Sequence, residues 1–194
     1  MLVNSTYGGG GNSADYARDG AVAILELTAA SNPSDCTVQL ENTLTIDEGL
    51  TMEICGVVNS APSGYLDILD VVSHWHLSTQ VDSSVPASSD FGFVCWISGY
   101  GSNELLVYPD NMSFGDRHTF TFVTDMESIN LYIDGEQAGS VAGSFGTTTA
   151  STYNVNGTGG NANTDWKCAR FYSRALTAAE IAENYAVDVA KYGT

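Results

Sequence analysis

Aromatic side chains beside glycines or inside a long polar segment are the first candidates for chemistry in this chain. Trp75 lies in residues 73–90, the longest stretch predicted to be irregular, and Tyr65 and Tyr100 each follow a glycine. Flat rings of this kind stack on the C–H faces of sugars, while amide and carboxylate groups bind the hydroxyls. Trp96 is a platform if its sheet face is open, and part of a second core layer if that face is covered.

Two histidines flank the first of these aromatic residues. In an extended segment, His74 and His76 would lie on the same side of the chain, as a transition-metal site requires. No third ligand is evident nearby in the sequence, so exposed loop histidines are the simpler interpretation.

Charge is the strongest compositional feature. Six Lys and Arg residues against 23 Asp and Glu residues give a formal net charge of −17 at pH 7. This charge repels phosphate backbones and anionic membrane surfaces, which argues against nucleic-acid binding. It suits neutral partners or divalent cations, and its simpler role is solubility. No apolar run approaches the roughly 20 residues of a membrane span, and no signal peptide is visible in the chain.

The four cysteines lack the CxxC spacing of a zinc ribbon or a redox dithiol. They are Cys36, Cys55, Cys95 and Cys168. Strand alternation places Cys95 among phenylalanines, on a buried face, and Cys55 on the outward face with Thr51 and Glu53. The sequence therefore predicts mostly free thiols.

The elements that position these residues are best defined at the C-terminus. Residues 166–172 favour a strand. Thr177 and Glu180 then have the spacing of a capping box, and Ile181, Tyr185 and Val189 form one apolar stripe. A short helix is predicted to close the chain. Arg170, a rare cation in an acidic chain, is predicted to lie in a buried ion pair.

The rest of the chain predicts an all-β fold. About ten short alternating segments are separated by turn signals, and the clearest is a hairpin with Asp134-Gly135 as a type I′ turn signal. The pattern indicates a two-sheet antiparallel β-sandwich of jelly-roll type with one C-terminal helix. Residues 1–14, with glycines at 8–11, are expected to form a flexible arm, and residues 15–194 a single domain.

Two segments carry a family resemblance. The hairpin with residues 118–120 and 129–136 is similar to the H-x-F/Y … L-Y-V-D-G hairpin of concanavalin A-like lectin/glucanase domains. Residues 169–181 resemble the R-I-Y-N-R-A-L-S-x-x-E-I ending of their laminin-G-like branch. The resemblance covers roughly the last 80 residues. It implies two curved antiparallel sheets and a carbohydrate-binding or adhesive role.

The same resemblance bears on catalysis and on metal binding. Glucanases of this superfamily use the pattern E-x-D-x-x-E, but residues 65–70 have Tyr65 in the position of the nucleophile, so we expect no enzyme activity. The family's habits and the acidity together favour a structural calcium ion. Its oxygen ligands would come from Asp110, Asn111, Asp165 or Asn163, although solvated loop acids are the simpler interpretation.

Two functions follow as hypotheses. One is a non-catalytic, lectin-like carbohydrate-binding or adhesion domain whose partners are glycans or the neighbouring proteins of a surface assembly. The other is a structural decoration or fibre component of a bacteriophage virion without glycan binding. Both place the chain outside the cell, at a cell surface or on a virion, and both leave homo-oligomer formation open.

Overall fold

The computed structural model describes residues 21–26, 36–60, 66–71, 75–81, 91–97, 104–108, 112–155 and 164–193. These residues form twelve strands and one helix. The strands are β1 (Ala21–Glu26), β2 (Cys36–Ile46), β3 (Leu50–Val58), β4 (Leu66–Val71), β5 (Trp75–Val81), β6 (Phe91–Ile97), β7 (Glu104–Val107), β8 (Arg117–Thr124), β9 (Ser128–Ile133), β10 (Glu136–Ala142), β11 (Thr148–Val155) and β12 (Thr164–Tyr172). The helix α1 spans Ala178–Tyr192. The predicted flexible arm, residues 1–14, lies outside the described residues.

The strands form two six-stranded antiparallel sheets. The first sheet has the order β1-β12-β3-β8-β9-β10, and the second has the order β2-β11-β4-β5-β6-β7. The prediction of a two-sheet sandwich of jelly-roll type with a C-terminal helix is confirmed.

The core lies between the two sheets, where their alternating apolar side chains meet. Phe93 of the second sheet contacts Phe120 of the first, with 4.4 Å between ring centroids. Tyr153 stacks on Phe171 in the same way, at 4.3 Å. All four rings are fully buried, so the interior is filled by aromatic pairs that join the sheets.

The predicted hairpin turn is also present. Asp134 and Gly135 have φ angles of 54° and 80°, the left-handed pair that a type I′ turn requires. The Asp134 carboxylate accepts a hydrogen bond from the Thr119 backbone N–H at 2.9 Å and lies 2.7 Å from His118 Nδ1. These bonds hold the β9–β10 turn against the start of β8.

Helix α1 begins with the predicted capping box. The Glu180 N–H donates to Thr177 Oγ1 at 3.3 Å, and the Thr177 N–H donates to Glu180 Oε2 at 2.8 Å. Arg174 donates two further hydrogen bonds to the same carboxylate, at 3.0 and 2.7 Å. The hydrogen bonds from Arg174 and from the Thr177 N–H lower the Glu180 pKa to about 2.

The buried side of the helix differs from the predicted apolar stripe. Ile181 is buried, but Tyr185 and Val189 are only half-buried, while Asn184 and Asp188 are buried at 5% and 1% exposure. The stripe prediction was therefore only partly right. The reason is that the sheet surface under the helix is itself polar.

An ion cluster lies between the helix and the outer face of the first sheet. Arg170 on β12 donates to Glu53 on β3 through Nε at 2.9 Å, and to Asp188 on the helix through Nη1 at 3.0 Å and Nη2 at 2.5 Å. All three side chains are at most 2% exposed. The predicted buried ion pair of Arg170 is confirmed, and it has two acidic partners. We call these three residues the Arg170 cluster.

Neighbouring polar groups complete the hydrogen bonding of both carboxylates. Asn184 donates to Glu53 at 2.7 Å, Thr121 donates to Glu53 at 3.2 Å, and Thr119 donates to Asp188 at 3.0 Å. Burial raises the pKa of Glu53 above its ordinary value, although the nearby guanidinium opposes the rise. The helix is thus fixed by charge-assisted bonds as well as by apolar contact.

The position of helix α1 also corrects the prediction for Cys55. This residue was expected to face outward, but it is 1% exposed because helix α1 lies over that face of β3. The thiols of Cys55, Cys95 and Cys168 are free, as the sequence predicted. The side chain of Cys36 is not described.

Arg170→Leu is expected to lower the free energy of unfolding by about 3–5 kcal/mol, because it leaves two buried carboxylates without their cation. Urea denaturation measures the change. Lys167→Leu is the matched control on the same strand, because its 2.7 Å bond to Asp165 is partly exposed and contributes about 1 kcal/mol or less. Similar values for the two variants would contradict the structural role of the cluster.

Glu180→Gln is expected to reduce stability at pH 7 by about 1 kcal/mol or less, since the pair with Arg174 is partly exposed. The folded-state pKa of about 2 lies below the ordinary value of 4.5, so this contribution is fully present above pH 4.5 and is lost as the pH falls towards 2. Urea midpoints of both proteins measured across this range should converge. A difference that is constant with pH would show that the charge of Glu180 is irrelevant.

Candidate functional site

Five residues occupy one continuous row of paired positions across the second sheet. Asn154 on β11 pairs with Asp70 on β4, which pairs with His76 on β5. His76 pairs with Trp96 on β6, and Trp96 pairs with Glu104 on β7. We call this set the polar row.

The adjacent row shows which side of the sheet the polar row belongs to. Leu69, Leu77, Cys95 and Leu105 are paired in succession along that neighbouring row. All four are part of the buried core between the sheets. Because successive residues of a strand alternate between the two faces, the polar row belongs to the outer face.

A β-bulge brings a second acidic position to this face. Asp67 pairs with Ser78, and Asp70 pairs with His76, although the two acids are three residues apart. The register shift between Asp67 and Leu69 accounts for the extra residue, Ile68. Without the bulge, an odd separation would place the two acids on opposite faces.

Exposure changes along the polar row from β4 to β7. Asp70 Oδ2 lies 3.4 Å from His76 Nδ1, and these residues are only 8% and 4% exposed. Glu104, at the other end, is exposed. Among the described residues from β4 to β7, solvent reaches the outer face at the β7 edge, while Asn154 at the β11 end of the row is half-buried.

Three residues of the β7 edge form the accessible surface. Glu104 is exposed, Leu106 is 43% exposed, and Tyr108 is half-buried just after the end of β7. We call these three residues the β7 face. They place a carboxylate, an aliphatic group and an aromatic ring at alternate positions along one edge of the sheet.

A glycine fixes the position of the tyrosine ring. A Cβ atom at Gly92 on β6 would lie 2.6 Å from Cε1 and 2.7 Å from Cδ1 of Tyr108. The ring therefore rests directly on the backbone of β6, where any side chain would displace it. The sequence analysis missed Tyr108. The available signal was Gly92 between two phenylalanines of a strand, which marks a close approach by another group.

The prediction that Trp75 is an exposed loop aromatic was wrong. Trp75 begins strand β5 and is 0% exposed. Its ring packs edge-on against Phe122 at 6.3 Å and Phe145 at 6.0 Å. Because Trp75 alternates with His76 along β5, it faces the core and contributes to packing rather than to ligand contact.

The other predicted site residues have mixed outcomes. Asp165 accepts a 2.7 Å ion-pair contact from Lys167. Across the described part of the chain, no group of three or more His, Cys, Asp or Glu residues could hold a metal ion. Trp96 occupies its position in the polar row, but its side chain is not described. The remaining predicted ligands lie outside the described residues: Tyr65, Tyr100, His74, Asp110, Asn111 and Asn163.

The carboxylates of the polar row do not have the spacing of a glycosidase pair. Asp70 and Glu104 are separated by three strand-to-strand steps of about 4.8 Å each, which amounts to roughly 14 Å. Glycosidases place their two carboxyl groups about 5–9.5 Å apart. Asp67 is nearer to Asp70, but Asp70 is nearly buried and lies beside His76.

Comparison of the fold with solved structures gives a consistent result. The chain is similar to a native heptameric SAP-like pentraxin from Limulus polyphemus, with a TM-score of 0.54 and 15% identity over 82% of this chain and 79% of that one. It is also similar to the ligand binding domain of Botulinum neurotoxin serotype D in complex with N-acetylneuraminic acid, with a TM-score of 0.59 and 14% identity over 79% of this chain and 40% of that one. A Trypanosoma rangeli sialidase matches with a TM-score of 0.52 and 14% identity, over 75% of this chain but only 24% of the sialidase.

Sequence comparison adds no closer relative. No protein-family model matches the chain, and no protein with a curated description matches it. None of the helices in the described ranges is long and apolar enough to cross a membrane.

At identities of 14–15%, the structural matches establish the fold alone. The chain therefore has a two-sheet antiparallel jelly-roll sandwich, as these structures do.

Trp75→Ala is expected to destabilise the protein by about 3–5 kcal/mol through the cavity that it leaves. Trp75→Phe should cost less than about 1.5 kcal/mol, because it keeps most of the packing and the indole Nε1 has no hydrogen-bond partner in the described structure. Urea denaturation separates the two variants. An unchanged urea midpoint for Trp75→Ala would show that the side chain of Trp75 is not part of the packed core.

Proposed function

We propose that the chain is a non-catalytic, lectin-like carbohydrate-binding domain that binds sugars on the outer face of the second sheet, at the β7 face. The observation that carries the proposal is the stack of Tyr108 on Gly92 beside two accessible side chains, Glu104 and Leu106. Aromatic and aliphatic groups bind the C–H face of a sugar, and a carboxylate accepts hydrogen bonds from its hydroxyls.

The charge of the chain narrows the class of sugar. A net charge of −17 opposes the approach of anionic ligands, and Glu104 adds a negative charge at the β7 face itself. We therefore expect neutral, hydroxyl-rich glycans rather than sialic acids, unlike the toxin domain whose structure contains N-acetylneuraminic acid. The ladder continues from Glu104 to the position of Trp96 on β6, towards β5.

Two features support binding without hydrolysis. Asp70, the carboxylate nearest to a catalytic pattern, is nearly buried against His76. The accessible carboxylate, Glu104, is too far from it for the two to act on one glycosidic bond. Incubation with β-glucans should therefore release no reducing sugar.

The laminin-G-like branch is the finer assignment that we propose. It is supported by the resemblance of residues 169–181 to the ending of that branch. Such a domain would serve in adhesion, outside a cell or on a particle surface. A structural virion component is the alternative if the chain binds no glycan.

Calcium binding by Asp110 and Asn111 stays a prediction, and a melting midpoint that is unchanged by EDTA would argue against it.

Tyr108→Ala is expected to weaken the binding of a neutral glycan about tenfold, since one aromatic contact contributes roughly 1.4 kcal/mol. Gly92→Ala should weaken binding as well, because its Cβ displaces the ring without removing it. A glycan array identifies the ligand, and calorimetry measures its affinity for each variant.

Phe114→Ala is the control for this experiment, because Phe114 is an aromatic residue with 45% exposure outside both sheets. It should bind as the unmodified protein does. Equal affinities for Tyr108→Ala and the control would exclude the β7 face, and an array without any bound glycan would favour the structural role.

A further inference from the structure

Two thiols face each other beneath helix α1. Cys55 on β3 and Cys168 on β12 are direct partners in the antiparallel ladder. Their exposures are 1% and 0%. Directly opposed residues of such a ladder have Cα atoms about 4.5–5.5 Å apart, which lies inside the roughly 4.4–6.8 Å span of a disulfide. The backbone is therefore already placed for a bond between the two sulfurs.

A small cavity reaches one of the two thiols. It has a volume of about 10 Å³ and lies between the C-terminal half of helix α1 and the start of β8. Its lining includes Cys55, Arg117, His118, Tyr185 and Asp188, but not Cys168. Its size is close to the minimum that one water molecule needs.

Two residues that line this cavity have buried nitrogen atoms without hydrogen-bond partners. Nε and Nη1 of Arg117 and Nε2 of His118 have no hydrogen-bond partner within the described ranges. His118 Nδ1 lies 2.7 Å from Asp134, so Nδ1 carries the proton and Nε2 is left as an acceptor in the neutral ring. The cavity lining therefore includes polar side chains whose hydrogen-bonding capacity is not fully used by the described residues.

The two thiols differ in acidity. The hydrogen bond from Cys168 lowers the pKa of Cys55, which makes Cys55 the better nucleophile. The same contact and burial raise the pKa of Cys168, whose Sγ lies 3.6 Å from Asp188. Arg170 adds a positive charge on the same face.

We propose that Cys55 and Cys168 form a peroxide-reactive dithiol site that oxidises to a disulfide joining β3 and β12. The Cys55 thiolate attacks one oxygen of hydrogen peroxide, the O–O bond breaks, and a sulfenic acid and hydroxide form; the hydroxide takes up a proton to give water. The sulfur of Cys168 then attacks the sulfur of the sulfenic acid, and the hydroxyl group leaves with the Cys168 proton as a second water. Two thiols are oxidised and one peroxide is reduced to two waters.

The third described thiol provides an internal control. Cys95 lies in the core between the sheets and is 0% exposed, and burial raises its pKa. Its paired positions on β5 and β7 hold Leu77 and Leu105. It has neither a thiol partner across the ladder nor an acidified sulfur, so it should not react.

The test treats the fully reduced, folded chain with hydrogen peroxide and then counts thiols after denaturation. The expected result is a fall from four thiols to two, with a mass loss of two hydrogen atoms and a peptide in which Cys55 is joined to Cys168. Cys95→Ser should form the same bond at the same rate. Cys168→Ser should instead gain one oxygen atom at Cys55, because the resolving thiol is missing.

Two results would overturn the proposal. One is the persistence of all four thiols in the folded protein under peroxide that oxidises the urea-unfolded chain within the same time. The other is oxidation that occurs at Cys95 as fast as at Cys55. Melting curves of the serine variants establish that each is folded, and the wild-type peptide map gives the answer without any variant.

Discussion

The buried contact of Arg170 with Glu53 and Asp188 is the constraint on which the first sheet depends. One guanidinium joins two adjacent strands and the closing helix, and all three side chains are removed from solvent. Removal of its cation alone would leave two buried carboxylates without a partner charge. The contact of Asp188 with Arg170 ties the helix to the outer face of the first sheet.

The two sheets therefore have different outer faces. The first is covered by helix α1 and contains the Arg170 cluster and the thiol pair. On the second, the polar row ends at the exposed β7 face, where Tyr108 rests on Gly92. Because the helix covers the outer face of the first sheet, we propose the outer face of the second sheet for ligand binding.

The sequence predicted features that depend on neighbouring residues. The Asp134-Gly135 turn and the Thr177–Glu180 capping box follow from short-range chemistry, and both are present. The burial of Arg170 followed from the scarcity of cations in an acidic chain. The sandwich itself followed from alternation and turn spacing.

Features that depend on strand pairing were missed. The segment after Ser73 is rich in Ser, Thr and Gln, and this composition hid the alternation that sends Trp75 into the core. The polar underside of helix α1 depends on which strands lie beneath it. Tyr108 becomes a candidate only when β7 is known to pair with β6, which places its ring over Gly92.

The central claim is that glycan recognition belongs to the second sheet and not to the face that helix α1 covers. The most direct test is to titrate the protein with a neutral glycan that it binds and to map the amide chemical-shift changes by NMR. The account predicts shifts at Val94 and at Glu104 to Tyr108, with none along helix α1. Shifts centred on the helix and on β12 would contradict it.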